Sequence, residues 1–427
     1  LRYKLGKIYG GNSGYVYFYY YDHSPFYNNT ELKVVTIGDC VSTIGESLFA
    51  KCSTLENIII PNNVTSIGSG AFSNCSSLRN ITIPKNVTLI GNSAFSNCTS
   101  LKELHIEDGE TELEIGIGTW NEEASKYSST HYYYSFFHDC PLELIYLGRN
   151  LTYVLSDRTC SYNSPFEEIN TLKSVTIGDS VTIVGPELFE ECRNLTYAKI
   201  GNNVTRIGNY TFSRCDSLTN ISIPRSVTTI GRDAFSYCYS ISSITISNSF
   251  ERIGFQAFSN CTSLKYVKIE DSTNYLYTGS IDNWSLPGDI FKGCSLEKVY
   301  LGRDLMYSTE NGVFYDVDSL IIGNNVTRIG KNTFYKGSNI SSIYSMCTNP
   351  PVVRSGNEFT ELQYVNTTVF VPKGALIAYQ AADVWKDFWD IQEYYLDKKF
   401  CVNYFVDGEL YAVDSVKHCD TIILREE

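Results

Sequence analysis

Hydrophobic and polar positions follow a pattern that repeats every 23 residues along most of this chain. Two adjoining copies read LENIIIPNNVTSIGSGAFSNCSS from residue 55 and LRNITIPKNVTLIGNSAFSNCTS from residue 78. Ile58 and Ile60 share one side of a two-residue alternation, which predicts a short strand with a buried face. The β-branched run at 64–67 predicts a second strand. The Ala-Phe-x-x-Cys segment that follows is too short for a stable helix and predicts a turn or a 3-10 piece.

A fixed period of this length is typical of a solenoid. Pro61, Pro84 and Pro224, or a glycine in other copies, end the first strand, because proline lacks the ladder N–H and glycine tolerates positive φ. No single unit buries its apolar face alone, so neighbours stack and place equivalent side chains in columns. We therefore predict a β-rich α+β solenoid built from short parallel strands.

The cysteines follow the same period. Of the 14 in the chain, seven occupy one column of the regular copies, namely Cys52, Cys75, Cys98, Cys192, Cys215, Cys238 and Cys261. Equivalent residues of stacked coils lie about 4.8 Å apart and point the same way, which holds their Cβ atoms too far apart for a disulfide. We expect a structural ladder of buried free thiols. Ile169, Val317 and Gly337 fill this column elsewhere, and Cys40, Cys160, Cys347, Cys401 and Cys419 lie outside it.

The regular repeat is interrupted at about 107–136, 156–163 and 270–289. The interruptions are themselves repeated, because 138–153 and 292–307 align residue for residue and share the sequence Tyr-Leu-Gly-Arg at 146–149 and 300–303. Insertions in solenoids form loops on one face, often the binding face. We expect the two long insertions to emerge on the same side.

The pattern IPxxVTxIGxxAFxxCxSL, which extends from about Leu32 to Ser345, resembles that of the BspA-like leucine-rich repeat proteins, surface proteins mostly of Bacteroides-type bacteria. The resemblance implies a right-handed leucine-rich repeat coil. It also implies a secreted or surface-anchored protein that acts in adhesion and in binding of host or matrix components, without catalysis.

The two ends differ from the repeat. Residues 1–31 are rich in aromatic residues and predict an N-terminal cap, with a ligand-stacking role as the alternative. The solenoid is assigned to 32–345 and a C-terminal cap to 346–395. Within that cap, apolar residues every third position predict an amphipathic helix over 375–395, with Trp385 and Trp389 packed inside. The stretch from Val371 resembles the C-terminal cap of the same family.

Residues 396–427 read as a β-hairpin with an Asp407-Gly408 turn. This segment resembles the opening of the small β-grasp-like repeats that follow such domains on bacterial surface proteins, and it is only part of one. An isolated hairpin is marginally stable, so we expect it to pack on the cap or to be mobile.

Charge and hydropathy narrow the functional classes. The net charge is −13 and the basic residues are dispersed, so no nucleic-acid footprint is present and no such partner is expected. No run approaches 18 apolar residues, so no membrane span is expected. The chain begins at Leu1, and we expect a signal peptide or lipid anchor outside it and an extracellular or outer-surface location. We expect a monomer.

Motifs of hydrolases and nucleotide-binding enzymes are missing from the sequence, and we expect no catalytic residue, no cofactor and no metal. The best metal candidate is His131, His138, Asp139 and Cys140, but Cys140 falls in the ladder column and should point inward. The alternating carboxylates at 107–114 lack the EF-hand spacing for Ca²⁺, and a solvated charged edge is the better interpretation.

Aromatic residues concentrate in the insertions and are the candidate binding residues: Trp120, Tyr127, Tyr132, Tyr133, Tyr134, Tyr275, Tyr277 and Trp284. Exposed aromatics are binding anchors with a low entropy cost. The alternative is that they fold back over the solenoid edge as small clusters of their own loops.

Three functions follow from these features. The first is a non-catalytic cell-surface scaffold that adheres to a host or matrix protein. The second is glycan capture as an accessory protein of a polysaccharide-utilising bacterium, with Trp120 and Trp284 stacking on sugars. The third is a hydrolase whose carboxylates converge across coils, and it has the least support.

Overall fold

The computed structural model describes residues 24–116, 136–137, 139–153, 164–279, 289–307, 313–330, 333–334, 339–353, 359–394, 399–406 and 409–417. Most of this chain forms a solenoid in which a coil adds one strand to each of two parallel ladders. The predicted solenoid of short parallel strands is confirmed.

The first ladder contains the longer strands. It consists of three successive sheets, and neighbouring strands within each sheet are parallel. It passes across the first interruption, because Leu104 pairs with Ile145. Its strands are β1 (Val34–Thr36), β3 (Asn57–Ile59), β5 (Asn80–Ile83), β7 (Glu103–Ile106), β9 (Leu144–Leu147), β11 (Ser174–Ile177), β13 (Tyr197–Lys199), β15 (Asn220–Ser222), β17 (Ser243–Ile246), β19 (Tyr266–Ile269), β21 (Ser295–Leu301), β23 (Asp316–Ile322), β25 (Ser342–Ser345), β27 (Thr368–Pro372) and β28 (Asp390–Tyr394).

The second ladder is made of strands of two or three residues, which the predicted β-branched run supplies in the regular coils. Its strands are β2 (Thr43–Ile44), β4 (Ser66–Ile67), β6 (Leu89–Ile90), β8 (Leu113–Ile115), β10 (Leu151–Thr152), β12 (Ile183–Val184), β14 (Arg206–Ile207), β16 (Thr229–Ile230), β18 (Arg252–Ile253), β20 (Leu276–Thr278), β22 (Leu305–Tyr307), β24 (Arg328–Ile329) and β26 (Val352–Val353).

The core is a set of columns of equivalent residues. One is a continuous stack of phenylalanine rings from Phe26 to Phe359, with neighbouring ring centroids 5.1 to 6.1 Å apart. Phe95 stacks on Phe137 across the first interruption, so the inserted residues do not separate the coils. The stack starts at Phe26, inside the segment assigned to the N-terminal cap, whose residues 1–23 lie outside the described part.

The ladder cysteines are buried free thiols. Each donates its S–H to the carbonyl oxygen of a phenylalanine in the preceding coil, for example Cys75 to Phe49 at 3.1 Å and Cys215 to Phe189 at 3.2 Å. Cys140 and Cys294 continue the same column. The thiol therefore fills space and satisfies a buried carbonyl at the same time.

The long interruptions begin later than the sequence indicates. Strand β8 lies within 107–136 and β20 within 270–289, and both pair in the second ladder. Since Ile83 pairs with Ile106 and Leu89 with Glu114, the six-residue step between ladders becomes eight residues in this coil. The assignment of 107–116 and 270–279 to loops is therefore wrong, and the inserted residues after them lie outside the described part.

The C-terminal cap contains helix α1 (Glu361–Asn366) and helix α2 (Leu376–Ala381), followed by a 3-10 turn at Trp385–Asp387 and strand β28. The predicted helix over 375–395 is wrong beyond Ala381. A strict three-residue spacing drifts around an α-helix of 3.6 residues per turn, so it cannot keep one face buried over six repeats. Pairing of β28 with β27 satisfies the backbone instead.

The two tryptophans of the cap have different environments. Trp385 is fully buried and its indole N–H donates to the carbonyl of Pro351 at 2.8 Å. Trp389 is 85% exposed, so its predicted packing inside the cap is wrong. Beyond the cap, strands β29 (Lys399–Val406) and β30 (Glu409–Lys417) pair antiparallel in the predicted hairpin.

Candidate binding surface

In each strand of the first ladder, the residues just before and just after the central inward residue point outward. Stacked over successive strands, these outward side chains form two parallel rows. We call these two rows, over β5 to β13, the outer face. One row contains Asn80, Glu103, Leu144, Ser174 and Tyr197, and the other contains Thr82, His105, Tyr146, Thr176 and Lys199. Alternation along each strand produces this arrangement, because the residues between the rows are buried.

A depression of about 330 Å³ lies in the outer face between β5 and β11. Its floor is the strand backbone at Ile81, Leu104 and Ile145, whose side chains point into the core. Its walls are the side chains of the two rows, which include an amide, a carboxylate, an imidazole and several hydroxyls. Such a surface can hydrogen-bond to a partner, and Leu144 adds an apolar contact.

Two rings dominate one wall of the depression. His105 and Tyr146 stack with centroids 4.6 Å apart and an interplanar angle of 11°, so each ring covers one face of the other. The Tyr146 hydroxyl donates to the Asp108 carboxylate at 2.9 Å and 3.0 Å from its two oxygens. Partial burial and this carboxylate raise the pKa of Tyr146 above its usual value. Both rings are therefore fixed in place before any partner binds.

A charged group borders the start of the same strands. Glu143 accepts hydrogen bonds from Lys102 and Lys173, with nitrogen–oxygen distances of 2.7 Å and 2.5 Å. These two ammonium groups lower the pKa of the Glu143 carboxyl to about 2. The Glu143 carboxyl is thus ionised across the physiological pH range. The net contribution of these ion pairs to stability is small because both lysine side chains are exposed.

The second half of the chain repeats part of this arrangement. Tyr300 donates to Asp271 at 2.6 Å, as Tyr146 does to Asp108. Further along the ladder, Tyr344 stacks on Phe370 with centroids 4.5 Å apart. None of these outer-face residues was among the candidate binding residues. The available signals were the duplicated Tyr-Leu-Gly-Arg sequence and the two-residue alternation, which places its tyrosine outward.

The arginine of each Tyr-Leu-Gly-Arg sequence is fully buried. Arg149 donates to the carbonyls of Lys85 at 2.5 Å and Pro84 at 2.8 Å, in the coil before the interrupted one. Arg303 donates in the same way, to Phe250 and Ser247 at 2.8 Å and to Asn248 at 3.3 Å. Each arginine thus ties together two coils that flank an interrupted coil.

Only two of the predicted binding aromatics lie in the described part of the chain. Tyr277 belongs to β20 and so lies on the second ladder, and Tyr275 directly precedes that strand. Arg328 lies over the Tyr275 ring at 4.7 Å and donates to its hydroxyl, and the Arg252 guanidinium lies 5.7 Å from the Tyr277 ring. Outside the described residues lie Trp120, Tyr127, Tyr132, Tyr133, Tyr134 and Trp284.

Metal-binding chemistry finds little support in the described residues, which contain no group of three or more His, Cys, Asp or Glu placed to hold an ion. Of the candidate quartet, His131 and His138 lie outside that part, and Cys140 donates to the carbonyl of Phe95 at 3.0 Å. In the acidic run, Asp108 and Glu112 accept hydrogen bonds from Tyr146 and Thr152. These two carboxylates therefore form hydrogen bonds with the following coil.

No helix in the part of the chain covered by the structure is long and apolar enough to cross a bilayer. The repeat itself decides the family. A family profile described as the BspA type leucine rich repeat region matches six copies, at residues 21–117, 159–287 and 283–352. The chain belongs to the BspA-type leucine-rich repeat family. A search of curated proteins found no match.

Several solved structures of leucine-rich repeat proteins are similar to this chain. A leucine-rich repeat protein from Bacteroides ovatus is 25% identical, with 86% of this chain and 92% of that chain covered and a TM-score of 0.46. A leucine rich cell surface protein from Faecalibacterium prausnitzii is 20% identical, with 86% and 89% covered and a TM-score of 0.31. The pneumococcal vaccine antigen PcpA is 18% identical, with 85% and 79% covered and a TM-score of 0.32. Because these TM-scores lie below 0.5, the family assignment depends on the repeat.

Proposed function

We propose that this protein is a non-catalytic scaffold at the cell surface or outside the cell, and that it adheres to a host or matrix protein through the outer face. The observation that carries the proposal is the depression walled by His105 and Tyr146, whose rings are already fixed by stacking and by Asp108. Membership of a repeat family of binding scaffolds supports the same function.

The chemistry of the outer face favours a protein partner. Exposed apolar side chains such as Leu144 and Tyr197 lie among amides, hydroxyls and charges, which is the composition of a protein interface with an apolar centre and a polar rim. The paired strands fix the backbone positions of these residues, so binding does not require the backbone to become ordered. A depression of about 330 Å³ is at the small end for a ligand pocket and suits a projecting side chain of a partner.

Glycan capture is the alternative. Sugar rings bind best over an open aromatic face, and His105 and Tyr146 each have one face covered by the other. Tyr197 and Tyr266, whose side chains are exposed, favour this alternative. Further contacts would come in either case from Tyr277 on the second ladder and from Tyr275 just before it. The aromatics of the insertions would add others, namely Trp120, Tyr127, Tyr132, Tyr133, Tyr134 and Trp284.

A matched pair of substitutions tests the site. Leu144 is 46% exposed on the outer face, and Ile183 is 47% exposed on the second ladder. We expect Leu144→Glu to weaken binding to immobilised matrix proteins or host-cell surface proteins at least tenfold by surface plasmon resonance, because it places a charge in an apolar contact. Ile183→Glu should leave binding unchanged.

The same experiment separates the candidate functions. Equal binding by both variants and the unmodified protein would remove the outer face as the site. Binding to a glycan array with no binding to any protein in the panel would favour glycan capture. Deletion of 117–135 and 280–288 then measures how much the insertions contribute.

A further inference from the structure

The second ladder carries its own row of outward side chains, separate from the outer face. From β12 to β24 the row contains, in order, Ile183, Arg206, Thr229, Arg252, Tyr277, Met306 and Arg328. Over the earlier strands the same row contains Thr43, Ser66, Leu89, Glu114 and Thr152, none of which is basic. The row therefore becomes basic after β12.

Two arginines of this row reach towards the same interrupted coil. The Arg252 guanidinium, from the preceding coil, lies 5.7 Å from the centre of the Tyr277 ring. The Arg328 guanidinium lies 4.7 Å from the centre of the Tyr275 ring and donates to its hydroxyl, although the coil of β22 lies between them. Tyr275, Tyr277 and Met306 remain more than one-third exposed. The arginine–tyrosine surface is our name for Arg252, Tyr275, Tyr277, Met306 and Arg328.

Two carboxylates accompany these arginines in the described residues. Asp304 is buried and accepts hydrogen bonds from two backbone N–H groups and one hydroxyl at the start of β24, and it lies 3.7 Å from Arg328 Nε. Its charge thus serves to join two coils. Glu251 is exposed and precedes Arg252. With Arg206 two coils before Arg252, the arginines outnumber the carboxylates, in a chain whose net charge is −13.

We propose that the arginine–tyrosine surface is a second binding site, separate from the outer face, and that it binds an acidic segment of a partner protein. A guanidinium matches a carboxylate in charge and in the geometry of its paired donors. Stacking on a tyrosine ring holds Arg328 in place beforehand, so less freedom is lost when an anion binds. The acidic remainder of the chain repels such a segment and directs it to this surface.

The residue types favour a protein over a sugar. Tyrosine, methionine and arginine are enriched at the centres of protein interfaces, and tyrosine and arginine are frequent hot spots there. A sugar ring binds best over an open aromatic face, whereas Arg328 lies over the Tyr275 ring. Arg252 and Arg328 are three coils apart along the ladder, about 14 Å, a span that about four residues of an extended peptide cover.

Fluorescence anisotropy of a labelled oligoglutamate peptide, titrated with the full chain at about 0.15 M salt, tests the proposal. We expect binding by the unmodified protein and none of an oligoglutamine peptide. Arg252→Gln with Arg328→Gln should weaken binding about tenfold or more, and added salt should weaken it as well. Lys33→Gln with Arg79→Gln is the control, because it removes two positive charges from exposed residues of the first coils and should change binding little.

A second matched pair covers the case in which the double variant disturbs the fold. Met306→Glu places a negative charge at an exposed position inside the surface, and we expect it to weaken binding about threefold or more. Ile183→Glu adds the same charge on the same ladder, three coils before Arg252 and so about 14 Å away, which is beyond the Debye length of about 8 Å. It should leave binding unchanged.

Three results would overturn the proposal. The first is no binding of oligoglutamate, or equal binding by the double variant and its control. The second is binding of heparin, a sulfated polysaccharide, that depends on Arg252 and Arg328 while oligoglutamate does not bind, because the occupant would then be an anionic glycan. The third is loss of oligoglutamate binding in Leu144→Glu and not in the double variant, which would place the acidic segment on the outer face.

Discussion

The hydroxyl of Tyr146 donates to the carboxylate of Asp108, 38 residues earlier in the chain, and so fastens one coil to the widened turn of the interrupted coil before it. Tyr300 and Asp271 repeat this contact over 29 residues. The turn that leads towards each long insertion is therefore held by the coil that follows it.

A glycine in the next coil makes room for this contact. A Cβ atom on Gly178 would lie 2.7 Å from both Asp108 Oδ1 and the Tyr146 hydroxyl oxygen. Gly323 has the same relation to Asp271 and Tyr300, at 2.5 Å and 2.9 Å. The tyrosine, the carboxylate and the glycine act as one unit in both halves of the chain.

The first prediction concerns this unit. We expect Gly178→Ala to lower the free energy of unfolding by about 1–3 kcal/mol, because the added methyl group overpacks the contact. Tyr146→Phe alone should cost about 1 kcal/mol through the lost hydrogen bond. Urea denaturation of both single variants and the double variant gives the coupling energy.

The double variant decides whether the two residues act together. Removing the hydroxyl relieves one of the two close contacts of the new methyl group, so the double variant should be more stable than the sum of the single effects allows. Strictly additive effects would contradict a shared contact.

The second prediction concerns the buried arginines. Arg149→Met keeps most of the side-chain volume but leaves the carbonyls of Pro84 and Lys85 without their charged donor. We expect a loss of about 3–5 kcal/mol in unfolding free energy, since two hydrogen bonds from a charged group are lost and the bond to Pro84 is buried. Urea denaturation, monitored by circular dichroism, measures it.

Arg225→Met is the matched control, because Arg225 pairs with Glu270 at the surface and its side chain is 72% exposed. We expect it to change stability by less than about 1 kcal/mol. In a repeat protein the effect should also be local. Hydrogen exchange should quicken most in the coils that flank 107–116, and uniform quickening along the chain would argue against a clamp between two coils.

The third prediction concerns thiol chemistry. Burial raises the pKa of the Cys75 thiol to about 12, and it also raises the pKa of Cys52 and Cys215. Cys40 is exposed. Since the thiolate is the reactive form, we expect iodoacetamide at pH 8.5 to modify Cys40 at least about a hundred times faster than Cys75 in the folded protein.

Peptide mass spectrometry after brief labelling measures these rates. Labelling in urea is the control, and there Cys40 and Cys75 should react at similar rates. Rapid modification of Cys75 in the native protein, or a disulfide between ladder cysteines in the non-reduced protein, would contradict the ladder of hydrogen-bonded thiols.

Much of this architecture follows from the repeat alone, because the period fixes the coil and each column fixes an environment. The cysteine column and the alternating isoleucines are examples. The burial of Arg149 and Arg303 does not follow from the repeat, since arginine is among the residues least often buried. The only sequence signal at these positions is the duplicated Tyr-Leu-Gly-Arg. Strand β20 was missed because Leu-Tyr-Thr departs from the Val-Thr-x-Ile of the regular coils. The cap helix was overestimated because three-residue spacing also fits a short helix, a 3-10 turn and a strand in succession.

The binding surface was the harder part to predict. The aromatic residues of the insertions interrupt a regular pattern and so are conspicuous in the sequence, whereas His105 and Tyr146 occupy ordinary outward positions of that pattern. His105 and Tyr146 are neighbours only because β7 pairs directly with β9, across the insertion that separates them in sequence. The sequence supports that register only once 138–153 is aligned with a regular copy.

The last prediction concerns pH and Glu190. Burial, and then the neighbouring carboxylates Glu167 and Glu187, raise the pKa of Glu190 from its usual 4.5 to about 8, and Ser213 opposes the shift. The folded protein therefore binds a proton that the unfolded chain releases between pH 4.5 and pH 8. The contribution of Glu190 to the free energy of unfolding is therefore greatest below pH 4.5, and it declines as the pH rises from 4.5 to 8.

Glu190→Gln removes the titration and keeps the shape. We expect the variant to match the unmodified protein near pH 4 and to be more stable by about 1–2 kcal/mol at pH 8, less than the full shift implies because the side chain retains some hydration. Thermal unfolding from pH 4 to pH 9 measures the difference. Glu56→Gln, an exposed site, controls for the loss of one negative charge. If the two variants follow the same pH profile, the effect belongs to net charge and not to the buried environment of Glu190.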